Sequence, residues 1–410
     1  MRRVVATGLG VVSAVGTSKA EVLRSLMENI SGIEFMPEMK ELGFRCQVAG
    51  RVKGLDTARI GKRPLQTMSD VAKYAAMATS EALADARLPL EALHSSTASI
   101  VVGTSFGGIN ELTRAEELLL KYKNPSRLGG TGLVKLMHST VSGNLATWLG
   151  VQGRAYAICS SSSSGLDNIG HAYELISRGV CDLCLCGAAE ESTWRHAGIF
   201  LDNCGGMPSS WNDLPTKACR PYDRDRAGMV PSEGAGILLL ETMEQAERRG
   251  IVPYAEIVGY GAATDAVDMF APSGAGLRNS IQQATAAARQ QGVHQVGYIN
   301  SHGSGTKLGD AVEAQVLKQI FPVSSRSPLV SSTKGLSGHA QAAAGAHGAI
   351  FTLLMLRHDF VAPTVNLDHV APECAGMRHV QTLTEVPLTS AMTLSLGLGG
   401  TNACLIFRKL

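Results

Sequence analysis

The chain lacks most of the features by which a sequence marks a membrane, secreted or nucleic-acid-binding protein. No apolar stretch is long enough to cross a bilayer. The opening Met1-Arg2-Arg3-Val4-Val5-Ala6-Thr7-Gly8 runs straight into a strand-like segment, with no signal-peptide core. There is no Lys/Arg-rich block, and a formal charge of +2 creates no global field for a polyanion. The nine cysteines are an odd number, which argues against a full disulfide framework. Cys181, Cys184 and Cys186 crowd into one apolar run, but no matching His/Cys pair follows, so a buried strand is favoured over a metal site. These absences leave the expectation of a cytoplasmic protein with no metal, no membrane contact and no nucleic-acid partner.

What is present points to a large folded enzyme-sized chain. Of 410 residues, 45% are apolar and only 18% charged, enough for an extensive core. The length fits two domains of about 200 residues or one fused duplication. Short apolar runs alternate with helical stretches, the pattern of βαβ units and a parallel sheet. Strands are expected at Val4–Thr7, Ala98–Val102, Leu183–Gly187, Gly236–Glu241, Ala255–Tyr260, Tyr298–Ser301, Leu329–Ser331, Met392–Ser395 and Ala403–Arg408. Helices are expected at Ser69–Ala86, Ser164–Arg178, Gly276–Gln290, Asp310–Phe321 and Ala340–Arg357. Strand, glycine-rich turn, long helix and second strand recur in each half. A polar helix end, Gly250 and Pro253 place the seam so that residues 1–249 and 250–410 form the two units.

Four segments carry groups suited to chemistry. Ile158-Cys159-Ser160-Ser161-Ser162-Ser163-Ser164-Gly165 sets small hydroxyl residues between a strand and a helix, where backbone N–H groups favour developing negative charge. A serine run is also a common flexible linker, but apolar strand and helix signals flank this one. Asn300-Ser301-His302-Gly303-Ser304-Gly305-Thr306, followed by Glu313, brings a histidine from a strand into a glycine-rich turn. Ser332-Thr333-Lys334-Gly335-Leu336-Ser337-Gly338-His339 leads into an alanine-rich stretch that permits close helix packing. Leu396-Gly397-Leu398-Gly399-Gly400-Thr401-Asn402 is a glycine-rich turn near the C-terminus. Any one of them alone is weak, since a lone histidine is more often structural than catalytic.

Taken together and in this order, the four segments resemble those of the β-ketoacyl-acyl carrier protein synthase family, of the elongating synthase I and II type. Thr7-Gly8-Leu9-Gly10-Val11-Val12-Ser13 and Arg220-Pro221-Tyr222-Asp223-Arg224-Asp225-Arg226-Ala227-Gly228-Met229-Val230 extend the likeness over essentially the whole chain. The resemblance implies an α/β protein with the duplicated thiolase-like fold in five layers, αβαβα. It implies a homodimer, or a heterodimer with a related ketosynthase, and an acyl carrier protein as partner. No cofactor is implied on the chain itself, because phosphopantetheine arrives on the carrier protein.

The resemblance also assigns roles. Ser162 stands at the nucleophile position, where the family keeps cysteine. His302 and His339 match the pair that binds the malonyl thioester oxygen, Lys334 the ordering lysine and Glu313 its acidic partner. The backbone amides of Ser162 and Leu398 match an oxyanion hole. Ser304 and Thr306 match pantetheine-holding hydroxyls, Leu396 and Leu398 stand for gate phenylalanines, and Phe106 matches an acyl-pocket gate. Lys62 and Arg63 match carrier-docking positions, although a pair of exposed bases is more commonly plain surface, and Gln66 replaces a docking arginine. A hydroxyl is far less ionised than a thiol and gives a more stable ester, so acyl transfer and condensation by Ser162 are both expected to suffer.

Two main readings follow. One is an acyltransferase of the 3-oxoacyl-carrier-protein synthase type, impaired by Ser162, in fatty acid or type II polyketide or polyene synthesis. The other is a non-elongating subunit like a chain-length factor, paired with an active synthase. A serine hydrolase would lack the Gly-x-Ser-x-Gly elbow and leave Lys334 unexplained. A degradative thiolase would need a second catalytic cysteine, and Cys404 lies in a strand-like run.

Overall fold

The computed structural model describes all 410 residues. Five strands of the first half are β1 (Val4–Ser13), β2 (Ala98–Gly103), β3 (Ala155–Tyr156), β4 (Leu183–Glu190) and β5 (Gly234–Thr242). Five of the second are β6 (Ala255–Thr264), β7 (Tyr298–Asn300), β8 (Leu329–Ser331), β9 (Ser390–Gly397) and β10 (Thr401–Arg408). In each half the first strand lies beside the fifth, then come the fourth, the second and the third. The pairing senses repeat as well. First–fifth and fifth–fourth are antiparallel, and fourth–second and second–third are parallel. The halves join where Val4–Ala6 of β1 meets Ala255–Ile257 of β6. The duplication read from the order of elements is therefore present in the hydrogen-bonding pattern.

Burial separates the helices into layers. α2 (Ser164–Ser177) buries 12 of its 14 residues and α5 (Ala343–His358) buries 13 of 16, so each is covered on all sides. Both touch strands of the two halves and each other, which makes them the middle layer. α1 (Asp70–Asp85) and α3 (Ala275–Gln290) bury only one face, against the first and second halves respectively, and are outer layers. The result is helix, sheet, helix, sheet, helix.

Two details differ from the sequence expectation for physical reasons. Gly8–Ser13 continues the first strand instead of turning. A Cβ on Gly10 would sit 1.7 Å from the carbonyl oxygen of Ala78, so glycine there serves the close approach of α1. The helix expected from Ala340 begins at Ala343, because Gln341 takes φ +46° and breaks the run. The middle helices cross where Gly165 faces Ala346 and Gly345 faces Leu166; a Cβ on Gly165 would lie 2.4 Å from the Ala346 nitrogen. That crossing sets the start of α2, and with it the serine run, against the loop that leads into α5. Helix Ile109–Tyr122, unassigned from sequence, has no buried residue. No helix is long and apolar enough to cross a membrane.

Candidate active site

The serine run is pinned residue by residue. Ser160 Oγ donates to Asp167, whose other oxygen accepts from Tyr260 Oη at 2.8 Å. Thr401 Oγ1 donates to the Ser160 carbonyl at 2.8 Å, Ser163 Oγ reaches the Ser395 and Thr401 carbonyls, and Ser164 Oγ donates to the Ser161 carbonyl at 2.5 Å. Ser161 takes φ +56°, turning the chain sharply just before Ser162. A flexible linker would show none of this. Ser162 is 5% exposed and its carbonyl accepts from Ser395 Oγ at 2.7 Å.

The histidine turn is fixed differently. α4 (Lys307–Ile320) carries Asp310 and Glu313, three residues apart and hence on one helical face. Glu313 accepts the N–H groups of His302 at 2.7 Å and Gly303 at 2.8 Å. Asp310 accepts those of Ser304 at 3.0 Å and Gly305 at 3.1 Å. Lys334 Nζ donates to the His302 carbonyl at 2.5 Å. The turn after β7 is therefore held at four consecutive N–H groups and one carbonyl.

Both imidazoles are presented in one tautomer. The Leu396 N–H donates to Nδ1 of His302 at 3.3 Å, and the Gln341 N–H donates to Nδ1 of His339 at 3.1 Å. Each Nε2 therefore carries the proton. The rings lie 5.2 Å apart, edge to face. Burial, and then the Lys334 charge, hold His302 well below the usual histidine range and bring His339 down to about 3, so both stay neutral donors at physiological pH. Burial also pulls Lys334 down to about 8, with the Glu313 charge opposing.

Ser162, His302 and His339 line one cavity of about 230 Å³. Ser304, Thr306, Leu396 and Leu398 line it too. Glu313 and Lys334 lie behind the His302 turn. Phe106 does not line this cavity; its half-buried loop is held by Glu190, which accepts from the Ser105 N–H at 2.9 Å. Lys62 and Arg63 sit on an exposed single turn, Lys62–Leu65, and form no ion pair. Cys184 and Cys186 are core residues of β4 and Cys181 is buried just before it; Cys404 is buried in β10.

Sequence reasoning missed Gln341, Tyr222 and Asp310 as site residues. Gln341 Oε1 is the partner of Ser162 Oγ, at 3.4 Å, and nothing in an alanine-rich stretch signals a left-handed turn there. Asp310 was legible in its spacing to Glu313. The segment Asp268–Phe270, also unforeseen, packs across the mouth beside Leu398, with the Gly399 N–H donating to the Met269 carbonyl at 2.9 Å.

The geometry is that of a pocket able to receive growing negative charge on an oxygen between two neutral N–H donors, beside a hydroxyl. The family model for the β-ketoacyl synthase N-terminal domain matches residues 1–246, and that for the C-terminal domain matches 254–368. The chain is 39% identical to 3-oxoacyl-[acyl-carrier-protein] synthase 1 of Escherichia coli over 412 residues, covering all of both proteins. Its fold superposes on the ishigamide ketosynthase/chain length factor with a TM-score of 0.92 at 30% identity, covering 100% of this chain and 99% of that one. On the AntDE:AntF ketosynthase, solved with a type II acyl carrier protein, the TM-score is 0.88 at 27% identity, with both chains fully covered. The duplicated sheet, the layered helices and the paired histidines thus have a common explanation: this chain belongs to the β-ketoacyl synthase family of condensing acyltransferases.

Proposed function

We propose that the protein carries out decarboxylative condensation of an acyl thioester with malonyl-loaded carrier protein, with Ser162 in place of the nucleophile. The observation that carries this reading is the convergence of two fixed Nε2–H donors, from His302 and His339, on the cavity that holds Ser162. Loading comes first: Ser162 Oγ attacks the acyl thioester of a loaded carrier protein, the C–S bond breaks, and the pantetheine sulfur leaves as a thiol carrying the serine proton. In the next step the C–C bond to the malonyl carboxylate breaks, carbon dioxide leaves, and the electron pair moves to the thioester oxygen. The two imidazoles receive that oxygen's charge. The carbanion then attacks the acyl carbonyl carbon held on Ser162 Oγ. The backbone N–H groups of Ser162 and Leu398, which have no acceptor within the chain, suit the resulting oxyanion. Collapse must expel a serine alkoxide, a far poorer leaving group than a thiolate, and this slows both loading and condensation.

The pantetheine arm would pass Ser304 and Thr306 between the flanking Leu396 and Leu398, and Lys62 and Arg63 would meet the acidic carrier. Phe106 acts on this reading from the wall of the acyl channel, not from the cavity itself. Residues 1–249 supply the nucleophile position and 250–410 the histidines, lysine and glycine-rich loop. The chain itself needs no bound cofactor, works as a dimer and resides in the cytoplasm.

A second reading, a non-elongating subunit like a chain-length factor, is favoured by one observation. No base reaches Ser162: its only side-chain partner is the Gln341 carbonyl oxygen, and both histidines offer donors, not acceptors. Comparing the protein with its Ser162→Cys variant separates the two. Each is incubated with acyl- and malonyl-loaded carrier protein, and the carrier-bound product is weighed by intact-mass spectrometry. A two-carbon extension by the cysteine form supports the first reading. No extension by either form removes it and directs the search to a cysteine-bearing partner that co-purifies.

A further inference from the structure

The most constrained residue near the cavity does not line it. Tyr222 is fully buried and takes φ +63°, a left-handed conformation unfavourable for a bulky residue. Its surroundings explain why it persists. Its N–H donates to Asp310 Oδ2 at 2.8 Å and its hydroxyl donates to Glu313 Oε2 at 2.7 Å. These are the same two carboxylates that hold the N–H groups of residues 302–305. The ring also packs on the turn itself: a Cβ on Gly303 would lie 3.0 Å from Tyr222 Cε2.

We infer that Tyr222 is a positioning residue for His302, its hydroxyl keeping Glu313 on the turn and leaving Lys334 to the His302 carbonyl. The inference rests on the proposed reading of His302 as a donor to the malonyl thioester oxygen. Glu313 is fully buried and has three hydrogen-bond donors, of which Tyr222 is one. Removing that hydroxyl leaves the carboxylate short of a partner in a medium where an unmet charge is costly. Lys334 is the cation whose charge bears on Glu313. Drawing Lys334 towards Glu313 takes it off the His302 carbonyl, and the imidazole loses its aim.

The test is Tyr222→Phe, which keeps the ring and removes only the hydroxyl. Malonyl-carrier decarboxylation is followed by release of carbon dioxide. kcat is expected to fall about tenfold with KM nearly unchanged, as for a misaimed transition-state donor. The acid limb of the pH profile moves to higher pH, because a lost donor to the charged carboxylate raises its pKa. The groups facing Glu313 are Tyr222, Lys334, Asp310 and the 302–303 backbone, with Arg226 and Cys219 behind Asp310 and His379 against the Tyr222 ring. A fluorinated tyrosine at 222, a stronger donor of the same shape, moves the limb the other way. Nitrogen spectra of histidine-labelled protein without substrate should change at His302 and not at His347.

Tyr298→Phe is the control. Tyr298 is equally buried and its hydroxyl meets Ser331 Oγ at 2.8 Å, away from Glu313. If Tyr222→Phe leaves rate, acid limb and His302 spectrum as in the parent, or if Tyr298→Phe reproduces its changes, Tyr222 is only a packing residue and the inference is overturned. If the parent releases no carbon dioxide, the functional reading fails, while the His302 spectrum still decides the role of Tyr222.

Discussion

At Ser160–Ser164 the restraints are neutral hydroxyl, amide and backbone bonds, several of them a hydroxyl on a carbonyl, with a single carboxylate, Asp167, at its edge. At His302–Gly305 four successive N–H groups end on two buried carboxylates, and a lysine takes the first carbonyl. Both loops reach the same cavity, one from each half of a duplicated fold. They are held by interactions of different strength, since a neutral hydrogen bond contributes about 1 kcal/mol and one to a charged group about 1.5–3. The difference separates two tasks. The histidine turn is rigid and electrically prepared to stabilise an anion. The serine loop is well ordered, but nothing in it draws the proton from Ser162.

The sharpest way to break this comparison is to truncate each side. His302→Ala and His339→Ala should each lower malonyl-carrier decarboxylation by about 10²–10³-fold, the usual cost of one lost oxyanion donor. Ser162→Ala should leave the same rate within about threefold, because the hydroxyl takes no part in releasing carbon dioxide. Rates of carbon dioxide release from malonyl-loaded carrier protein measure both. A loss with Ser162→Ala as large as with either histidine variant would show that the two loops act as one unit.

A second, smaller effect sharpens the contrast through pH. The histidine side contains Lys334, brought down to about 8 by burial. Below that value it is an ammonium holding the His302 carbonyl; above it the charge is gone. The decarboxylation rate should therefore fall severalfold as pH rises through about 8. Stability moves the other way. Because the folded state holds this proton less tightly than the unfolded chain, the cost of keeping Lys334 charged in the core is present below about 8, and stability rises as pH climbs from there towards the ordinary lysine range. A rate that holds constant to pH 9.5 would remove Lys334 from the mechanism.

The same contrast decides what the sequence made legible. Long helices and core strands could be read because their apolar spacing is local information, and the middle-layer helices Ser164–Ser177 and Ala343–His358 were both anticipated to within three residues at either end. Ser162, His302, His339 and the turn at Leu396–Leu398 stand in four segments that are weak one by one, and their roles follow only from the family resemblance those segments carry together. What stayed hidden depends on contacts remote in sequence. Gln341 faces Ser162 across 179 positions, and Tyr222 meets Glu313 across 91. The exposed helix Ile109–Tyr122 was missed because it buries nothing in this chain. Phe106 carries a gate role only through the resemblance, and it stands outside the lining of the cavity of about 230 Å³.

The smallest expected effect lies on the serine side, and it measures how much that loop relies on its one carboxylate. Asp167 is largely buried, and burial raises its pKa against the opposing hydrogen bonds of Ser160 and Tyr260. Ser160→Ala removes one donor and leaves Tyr260 at 2.8 Å to hold the other oxygen. The loop keeps its remaining ties through Thr401, Ser163 and Ser164, so it should not unravel. The expected cost is about 1–2 kcal/mol, that of a weakened buried carboxylate, read as a lower denaturant midpoint at unchanged slope. Decarboxylation should barely change, because the histidine donors do not rest on this loop. A fall in rate comparable to that of Tyr222→Phe would mean that the start of α2 transmits strain across the Gly165–Ala346 crossing to the loop bearing His339. The two halves would then be coupled through their middle helices and not through the cavity alone.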